Sequence, residues 1–152
     1  MTGNVALVAV KASERDEFMR VAEQHFRGLS DTFTPHADWK ESYLPAILAN
    51  PQMFLRWIVS GGQRSGFILY GIEPHRFLPR KTGAIYELFV SPEKRRQGLA
   101  REAATLALSE LWALGPSKIQ LEVVDGNAGA GALWKSLGFT KATERYVLPA
   151  KP

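Results

Sequence analysis

Hydrophobic residues follow two patterns along this chain: short apolar runs and longer stretches at helical spacing. Residues 5–10 form a valine-rich apolar run, which predicts a buried first strand. Ser13 is a candidate N-cap, and the pattern after it predicts an amphipathic helix to about Leu29. We interpret His25 in this helix as a satisfied or exposed helix residue rather than a ligand. The apolar positions of the helix are Phe18, Val21, Ala22, Phe26 and Leu29.

The middle of the chain predicts a broken helix followed by a hairpin. Asp38 and Glu41 have the spacing of a capping box, and Pro45 interrupts the helix that they would begin. β-Branched and aromatic residues then predict two strands joined by a glycine-containing turn. We assign the strands to residues 54–60 and 67–72, the turn to 61–66 and the following loop to 73–83.

The C-terminal half alternates strands with helices. An apolar stripe from Leu99 to Leu114 predicts a helix that Gly115 and Pro116 end. The other elements are predicted as strands at 84–90, 119–124, 139–143 and 145–148, a turn at 125–127 and a helix at 128–137 with Gly138 as its C-cap. This order predicts an α/β sandwich around a mostly antiparallel sheet.

Composition indicates an ordinary globular protein with one domain over residues 1–152. The chain is 45% hydrophobic and 22% charged, and no internal repeat or linker interrupts it. It has no cysteine, which excludes disulfides, thiolate zinc sites and a cysteine nucleophile. The three histidines lack the spacing of metal ligands, so we expect no metal.

Charge and hydropathy narrow the location and the ligands. The apolar run at 5–10 is too short for a signal-peptide core or a membrane span, so we expect a cytoplasmic protein without a membrane partner. The net charge of +4 and a sequence pI near 9.5 suit a polyanion, either nucleotide phosphates or nucleic acid. Positive charge is dense between Lys94 and Arg101, which favours a compact pocket over a long stripe.

The stretch from Tyr86 to Ala104 predicts a phosphate-binding junction. A strand ends before Pro92, a basic turn follows, and a helix then begins whose first N–H groups face the turn. Gly98 allows close approach of an anion. Four cations surround it, namely Lys94, Arg95, Arg96 and Arg101. The ordinary alternative is a solvated surface loop.

Two segments together resemble the GCN5-related N-acetyltransferase (GNAT) family. Residues 88–100 resemble its strand and its Arg-x-x-Gly-x-Gly/Ala loop. Residues 127–139 resemble its Asn-x-x-Ala-x-x-Leu-Tyr-x-x-x-Gly-Phe pattern, with Trp134 in place of the tyrosine. The resemblance implies a GNAT-type sandwich with a mixed sheet of about six or seven strands flanked by about four helices.

The resemblance also implies how acetyl-CoA would be bound. The strand with Leu88, Phe89 and Val90 would splay from the strand at 119–124, and the pantetheine arm would fill the gap like an added strand. In the family pattern, backbone N–H groups of the turn bind the pyrophosphate, and here these belong to Gln97, Gly98, Leu99, Ala100 and Arg101. Arg95 and Arg96 would supply positive charge beside it. The pantetheine would contact Asn127, Leu133, Trp134 and Phe139.

Transfer of an acetyl group to an amine needs a base, because an alkylammonium has a pKa near 10.4. Glu87 is the candidate base, and its ordinary role would be that of a solvated or salt-bridged strand carboxylate. Strand alternation places Glu87 and Phe89 on one face and Tyr86 on the other, unless a bulge changes the phase. The backbone N–H of Leu88 or Phe89 would polarise the thioester carbonyl.

Because Trp134 replaces the tyrosine, the sequence does not identify the acid that protonates the leaving thiolate. Three alternatives stay open: the thiolate departs without an acid, Trp134 stabilises it by a hydrogen bond, or Tyr146 donates the proton. The leading hypothesis is therefore an acetyl-CoA-dependent N-acetyltransferase acting on a small-molecule or peptide amine. A noncatalytic acyl-CoA-binding module is the alternative, and a nucleic-acid-binding domain ranks last because no nucleic-acid motif accompanies the charge. Dimerisation is common among such proteins, and the sequence leaves a homodimer open.

Overall fold

The computed structural model describes residues 4–124 and 127–150. Its elements occur in the order β1 (Val5–Ala9), α1 (Arg15–Leu29), α2 (Trp39–Leu48), β2 (Met53–Ser60), β3 (Gln63–Pro74), β4 (Lys81–Val90), α3 (Leu99–Ala113), β5 (Ile119–Leu121) and α4 (Ala128–Ser136). The chain divides into two compact units, of which the first ends at Glu122 and the second begins at Val123.

The first unit is built on a five-stranded sheet in the order β1-β2-β3-β4-β5. Strands β1 to β4 pair antiparallel, and β5 pairs parallel to β4. The predicted mixed, mostly antiparallel α/β fold is thus confirmed. The described sheet has five strands rather than the six or seven expected.

Helices α1 and α2 cover one face of this sheet. Apolar side chains of α1, α2 and strands β2 to β4 form one buried cluster there, which includes Phe18, Leu44, Trp57, Phe67 and Phe89. Alternation along β3 turns Tyr70 to the opposite face, where its hydroxyl donates a hydrogen bond to Glu110 of α3. The sheet therefore separates α1 and α2 from α3.

The β2–β3 hairpin is tighter than the sequence indicated. Ser60 pairs with Gln63, so only Gly61 and Gly62 form the turn, and both have positive φ. Two residues of positive φ match the right-handed twist of the strands. The predicted turn at 61–66 is therefore wrong, because Gly66 already lies inside β3 and pairs with Val90.

The predicted closing strands at 139–143 and 145–148 are also wrong. In the part of the second unit that the structure describes, residues after α4 form no strand, and residues 140–150 are exposed. A strand needs a partner for its backbone hydrogen bonds, which local sequence preference cannot supply. Strand β5 ends at Leu121 rather than at residue 124. Residues 125–126 of the predicted turn lie outside the described residues.

Among the helices of residues 4–124 and 127–150, none combines the length and the apolar character that crossing a membrane requires.

Candidate active site

The pairing of β5 with β4 ends halfway along β4. The parallel pairing joins Gly83, Ala84 and Ile85 of β4 to residues 119–121, and β5 then ends. Strand β4 continues to Val90, paired with β3 on its other side. Within the described residues, the segment 86–90 thus has a strand on one side only, and its outward N–H and C=O groups can pair with an extended ligand.

A basic turn connects the end of β4 to α3. Arg96 has a φ of 64° and Gly98 a φ of 76°, so the chain takes two left-handed steps before the helix. Gly98 is the N-cap residue of α3, and no side chain caps the helix there. Among the described residues, we find no acceptor for the N–H groups of Gln97, Gly98, Leu99 or Ala100. Together with the helix dipole, these donors favour an anion at this point.

Two of the cations beside the turn are anchored to the sheet. The Nε of Arg95 donates to the carbonyl oxygen of Val90 at 2.8 Å, and its guanidinium lies 5.6 Å from the centre of the Phe89 ring. The Nζ of Lys94 donates to Oε1 of Gln63 at 2.9 Å. These contacts hold the turn against β3 and β4, and Arg96 remains exposed.

Glu87 lies in the segment of β4 beyond the β5 pairing. Its Oε2 is 2.6 Å from Nε2 of His25, which is on α1. The His25 side chain is 7% exposed and the Glu87 side chain 24%, so the imidazole is enclosed and the carboxylate reaches solvent. This arrangement gives Glu87 one buried hydrogen bond and one accessible side.

A β-bulge determines which side chains share the face of Glu87. Leu69 pairs with Glu87, but Tyr70 pairs with Ile85, so Tyr86 is the extra residue of β4. Tyr86 packs against the same buried cluster as Phe89. Simple alternation, which would place Tyr86 opposite Glu87, therefore does not hold here, and the structure shows the bulge that the sequence analysis allowed as an exception.

Tyr43 of α2 packs against the buried cluster that contains Phe89. Its pKa is raised, mainly by burial and secondly by the negative charge of Glu87. A tyrosine is protonated at neutral pH in any case, so Tyr43 offers a neutral hydroxyl. Helix α1 thus brings a polar side chain to the carboxylate on β4, and Tyr43 of α2 is influenced by its charge.

The second unit holds the other predicted site residues. Asn127 caps α4, because its Oδ1 accepts from the N–H of Ala130 at 3.2 Å. Trp134 is buried, and its ring meets that of Phe139 edge to face at 5.6 Å. Tyr146 is 86% exposed, and its hydroxyl donates to Glu144, which raises the pKa of the tyrosine.

The structure brings together the predicted site residues of the first unit. Leu88, Phe89 and Val90 lie on the open segment, and Arg95 to Arg101 follow in the turn and first helical turn. Asn127, Leu133, Trp134 and Tyr146 belong to the second unit. Sequence reasoning did not assign His25 or Tyr43 to the site. The position of His25 at helical spacing from Phe18 and Ala22 was the available signal, because it predicts an inward-facing histidine.

Comparison with known proteins found a matching family and similar sequences. A family model described as "Acetyltransferase (GNAT) family" matches residues 14–139. The [Ribosomal protein bS18]-alanine N-acetyltransferase of Escherichia coli (strain K12) is 41% identical over 61 residues, which are 40% of this chain. That match spans only 41% of the relative's own length.

Solved structures with the same fold have low sequence identity. A transcriptional regulator from Bacillus halodurans C-125 superposes with a TM-score of 0.79 at 15% identity, covering 95% of this chain and 98% of the other. The aminoglycoside N-acetyltransferase AAC(6')-Iy in complex with CoA gives a TM-score of 0.73 at 17% identity, covering 97% and 94%. At such identities, the likeness concerns the fold alone.

Proposed function

This chain belongs to the acetyltransferase (GNAT) family, and from that premise we propose that it transfers an acetyl group from acetyl-CoA to a primary amine. One observation carries the proposal: the part of β4 beyond the end of β5 leads directly into the turn at the uncapped N-terminus of α3. The first feature offers backbone partners to an extended arm, and the second offers donors to a phosphate. Acetyl-CoA has both parts in one molecule.

The residues of the first unit fit acetyl-CoA. The N–H groups from Gln97 to Arg101 would hold the pyrophosphate, and Arg95 and Arg96 would add charge. The open edge of Leu88, Phe89 and Val90 would pair with the pantetheine amides. The family pattern also assigns pantetheine contacts to Asn127, Leu133 and Trp134, which belong to the second unit. The bound thioester would supply the activated acetyl group.

Glu87 is the proposed base of the reaction. An amine acceptor arrives as an ammonium ion, and the carboxylate takes one of its protons so that the nitrogen lone pair can attack the thioester carbonyl. The backbone N–H of Leu88 or Phe89 would stabilise the negative charge that develops on the carbonyl oxygen. Orientation of both reactants in one cleft can be worth roughly 7 to 11 kcal/mol.

Trp134 and Tyr146 are the candidates to assist the leaving thiolate. The indole N–H of Trp134 can donate a hydrogen bond but does not ionise usefully in water. Tyr146 is protonated at neutral pH like any tyrosine, and its hydrogen bond to Glu144 raises its pKa further, which makes it a weaker proton donor. Three alternatives stay as predictions: the thiolate leaves without an acid, Trp134 stabilises it by a hydrogen bond, or Tyr146 donates the proton.

The presence of Trp134 favours a second candidate function. A chain without the tyrosine of the family pattern can bind acyl-CoA without transferring the acyl group. Such a noncatalytic module would use the same turn and the same open strand edge. Such a module differs from an enzyme in one measurable quantity: no amine would increase its rate of thiol release from acyl-CoA.

We propose a small-molecule or peptide amine as acceptor and the cytoplasm as location. The family includes relatives named for a protein alanine and for aminoglycosides, so both classes belong in a test. Nothing in this proposal requires nucleic acid or a membrane as partner. A homodimer stays a prediction.

The test is a thiol-release assay with acetyl-CoA and a panel of amines. The panel contains a peptide that begins with alanine, an aminoglycoside, a polyamine and a free amino acid. We expect release above the hydrolysis background with at least one of them, and a matching mass increase of the acceptor. Tight binding of coenzyme A with no amine-dependent release would instead establish the binding module. Failure to bind coenzyme A would refute both functions.

A further inference from the structure

The pair of His25 and Glu87 has a geometry that packing alone does not require. The two residues are 62 positions apart and meet at 2.6 Å across the interface of α1 with the sheet. An apolar residue at position 25 would fill the same space among aromatic rings without the cost of burying an imidazole. We therefore expect the buried imidazole to have a role that involves Glu87.

We propose that His25 is a positioning residue for Glu87, an inference that rests on the proposed function. Its Nε2–H donates a hydrogen bond to Oε2 of the carboxylate and so directs the accessible side of Glu87 toward the acceptor amine. His25 touches neither the amine nor the thioester. It acts through the orientation of the base.

The surroundings of His25 hold its ring in place. The ring lies 5.0 Å from that of Phe26 and 5.5 Å from those of Phe67 and Phe89, measured between ring centres. Two of these contacts are edge to face, so the imidazole has little freedom to rotate. A fixed donor can hold a carboxylate within the narrow range of positions that proton transfer needs.

The contact also fixes which oxygen of Glu87 remains for the reaction. With the carboxylate ionised, the hydrogen bond requires the proton on Nε2 of His25. Oε2 is then engaged, and Oε1 keeps its lone pairs for the incoming proton. During transfer the N–H bond of the ammonium breaks, its electron pair stays on nitrogen, and an O–H bond forms on Glu87. The 24% exposure of Glu87 allows this proton to pass to water afterwards.

The test compares three substitutions at position 25 in the full chain. His25→Leu removes the hydrogen bond, His25→Gln keeps a donor at similar reach, and His25→Asn keeps the amide but is too short. We expect His25→Leu and His25→Asn to lower kcat at least about tenfold, with KM for acetyl-CoA unchanged within about twofold. His25→Gln should recover kcat to within about fivefold of the parent, because the donor is restored. His36→Leu, at an exposed histidine, is the matched control and should change neither constant.

The outcomes separate this inference from the proposed function. An active parent whose kcat is the same in all three variants overturns the positioning role and leaves the transferase proposal intact. Equal loss in His25→Gln and His25→Asn also overturns it, because a donor would then not be what matters. If His25→Leu fails to fold, the comparison of the Gln and Asn variants decides. A parent without amine-dependent thiol release refutes the proposed function, and the positioning role with it.

Discussion

At the scale of single residues, the site depends on what surrounds one carboxylate. Glu87 is held by the enclosed His25 of α1 and itself reaches solvent, and its charge contributes to the raised pKa of Tyr43 on α2. Tyr86, the bulge residue beside it, is anchored separately, because its hydroxyl donates to Glu73 at 2.5 Å. The bulge therefore places two consecutive side chains on one face without making them compete for a partner.

Glu87→Gln should lower kcat about a hundredfold near neutral pH, because an amide cannot accept the ammonium proton as a base. Acetyl-CoA affinity should be unchanged, since the turn that would bind the pyrophosphate is not altered. Steady-state kinetics and a direct binding titration measure the two quantities. Glu41→Gln, an exposed carboxylate on α2, is the control and should retain full turnover. Equal kcat for Glu87→Gln and the parent would remove Glu87 from the mechanism.

At the scale of elements, the important unit is β4, the basic turn and α3. The strand carries the base, the turn reverses the chain through two left-handed residues, and the helix offers uncapped donors. Gly98 and Gly115 stand just beyond the two ends of α3 with almost the same φ, 76° and 78°. Substitutions at the two glycines therefore cause similar backbone strain, so a difference in coenzyme A binding between them reports on the turn before α3.

Gly98→Trp should raise the Kd for coenzyme A at least about tenfold, because the indole would occupy the space beside the free N–H groups. Gly115→Trp is the matched control: it carries the same cost of a side chain at positive φ but lies at the other end of the helix. Isothermal titration of both variants gives the comparison. An equal Kd for the two variants would show that the turn does not bind the pyrophosphate.

The β3–β4 contact beside this turn tolerates no side chain at Gly66. A Cβ there would lie 1.8 Å from the carbonyl oxygen of Phe89, which is backbone and cannot move aside cheaply. Gly66→Ala should therefore lower the free energy of unfolding by about 3 kcal/mol or more. Gly28→Ala in α1, where no atom lies within 4 Å, should instead raise it by about 0.5 kcal/mol. Urea unfolding of both variants checks the opposite signs.

At the scale of the whole molecule, a charged cluster ties the start of α1 to the sheet. Glu14 accepts hydrogen bonds from the backbone N–H of Lys11, from the indole of Trp57 and from Arg64. Arg64 also contacts Glu17, and its guanidinium stacks 4.7 Å from the Trp57 ring. The backbone hydrogen bond from Lys11 is the largest cause of the lowered pKa of Glu14, partly opposed by burial.

Because of this cluster, we expect the free energy of unfolding to decrease at acid pH. The pKa of Glu14 is lower in the folded than in the unfolded chain, where it is about 4.3, so its contribution is present above that pH. It is lost as the pH falls through the folded-state pKa. Glu14→Gln should cost about 1 kcal/mol of unfolding free energy at pH 7, and the difference from the parent should close in acid.

Urea unfolding at pH 7 and at successively lower pH measures this difference. Glu17→Gln is the control, because Glu17 is 39% exposed and its ion pair with Arg64 should contribute less than about 1 kcal/mol. A difference between Glu14→Gln and the parent that stays constant across the pH range would show that ionised Glu14 is not what stabilises the fold.

Prediction from the sequence succeeded for elements with a local signal and failed where pairing with another strand determines the structure. Helical spacing located α1 and α3, and Pro92 and Gly98 marked the turn between β4 and α3. The hairpin turn was placed too widely, because the pairing of Ser60 with Gln63 depends on register rather than on glycine count. The prediction of C-terminal strands failed because residues such as Tyr146 and Val147 have high strand propensity, but no strand in the described part of the second unit pairs with them.

The sequence by itself determined the α/β class, the order of the main elements and the basic turn before α3. These follow from hydrophobic period, charge and glycine placement, which act between neighbours along the chain. Only the tertiary structure decided that β5 ends at Leu121, that Tyr86 is a bulge and that His25 meets Glu87. Strand length, register and contacts between distant residues depend on how packed surfaces fit together, and no local pattern records that fit.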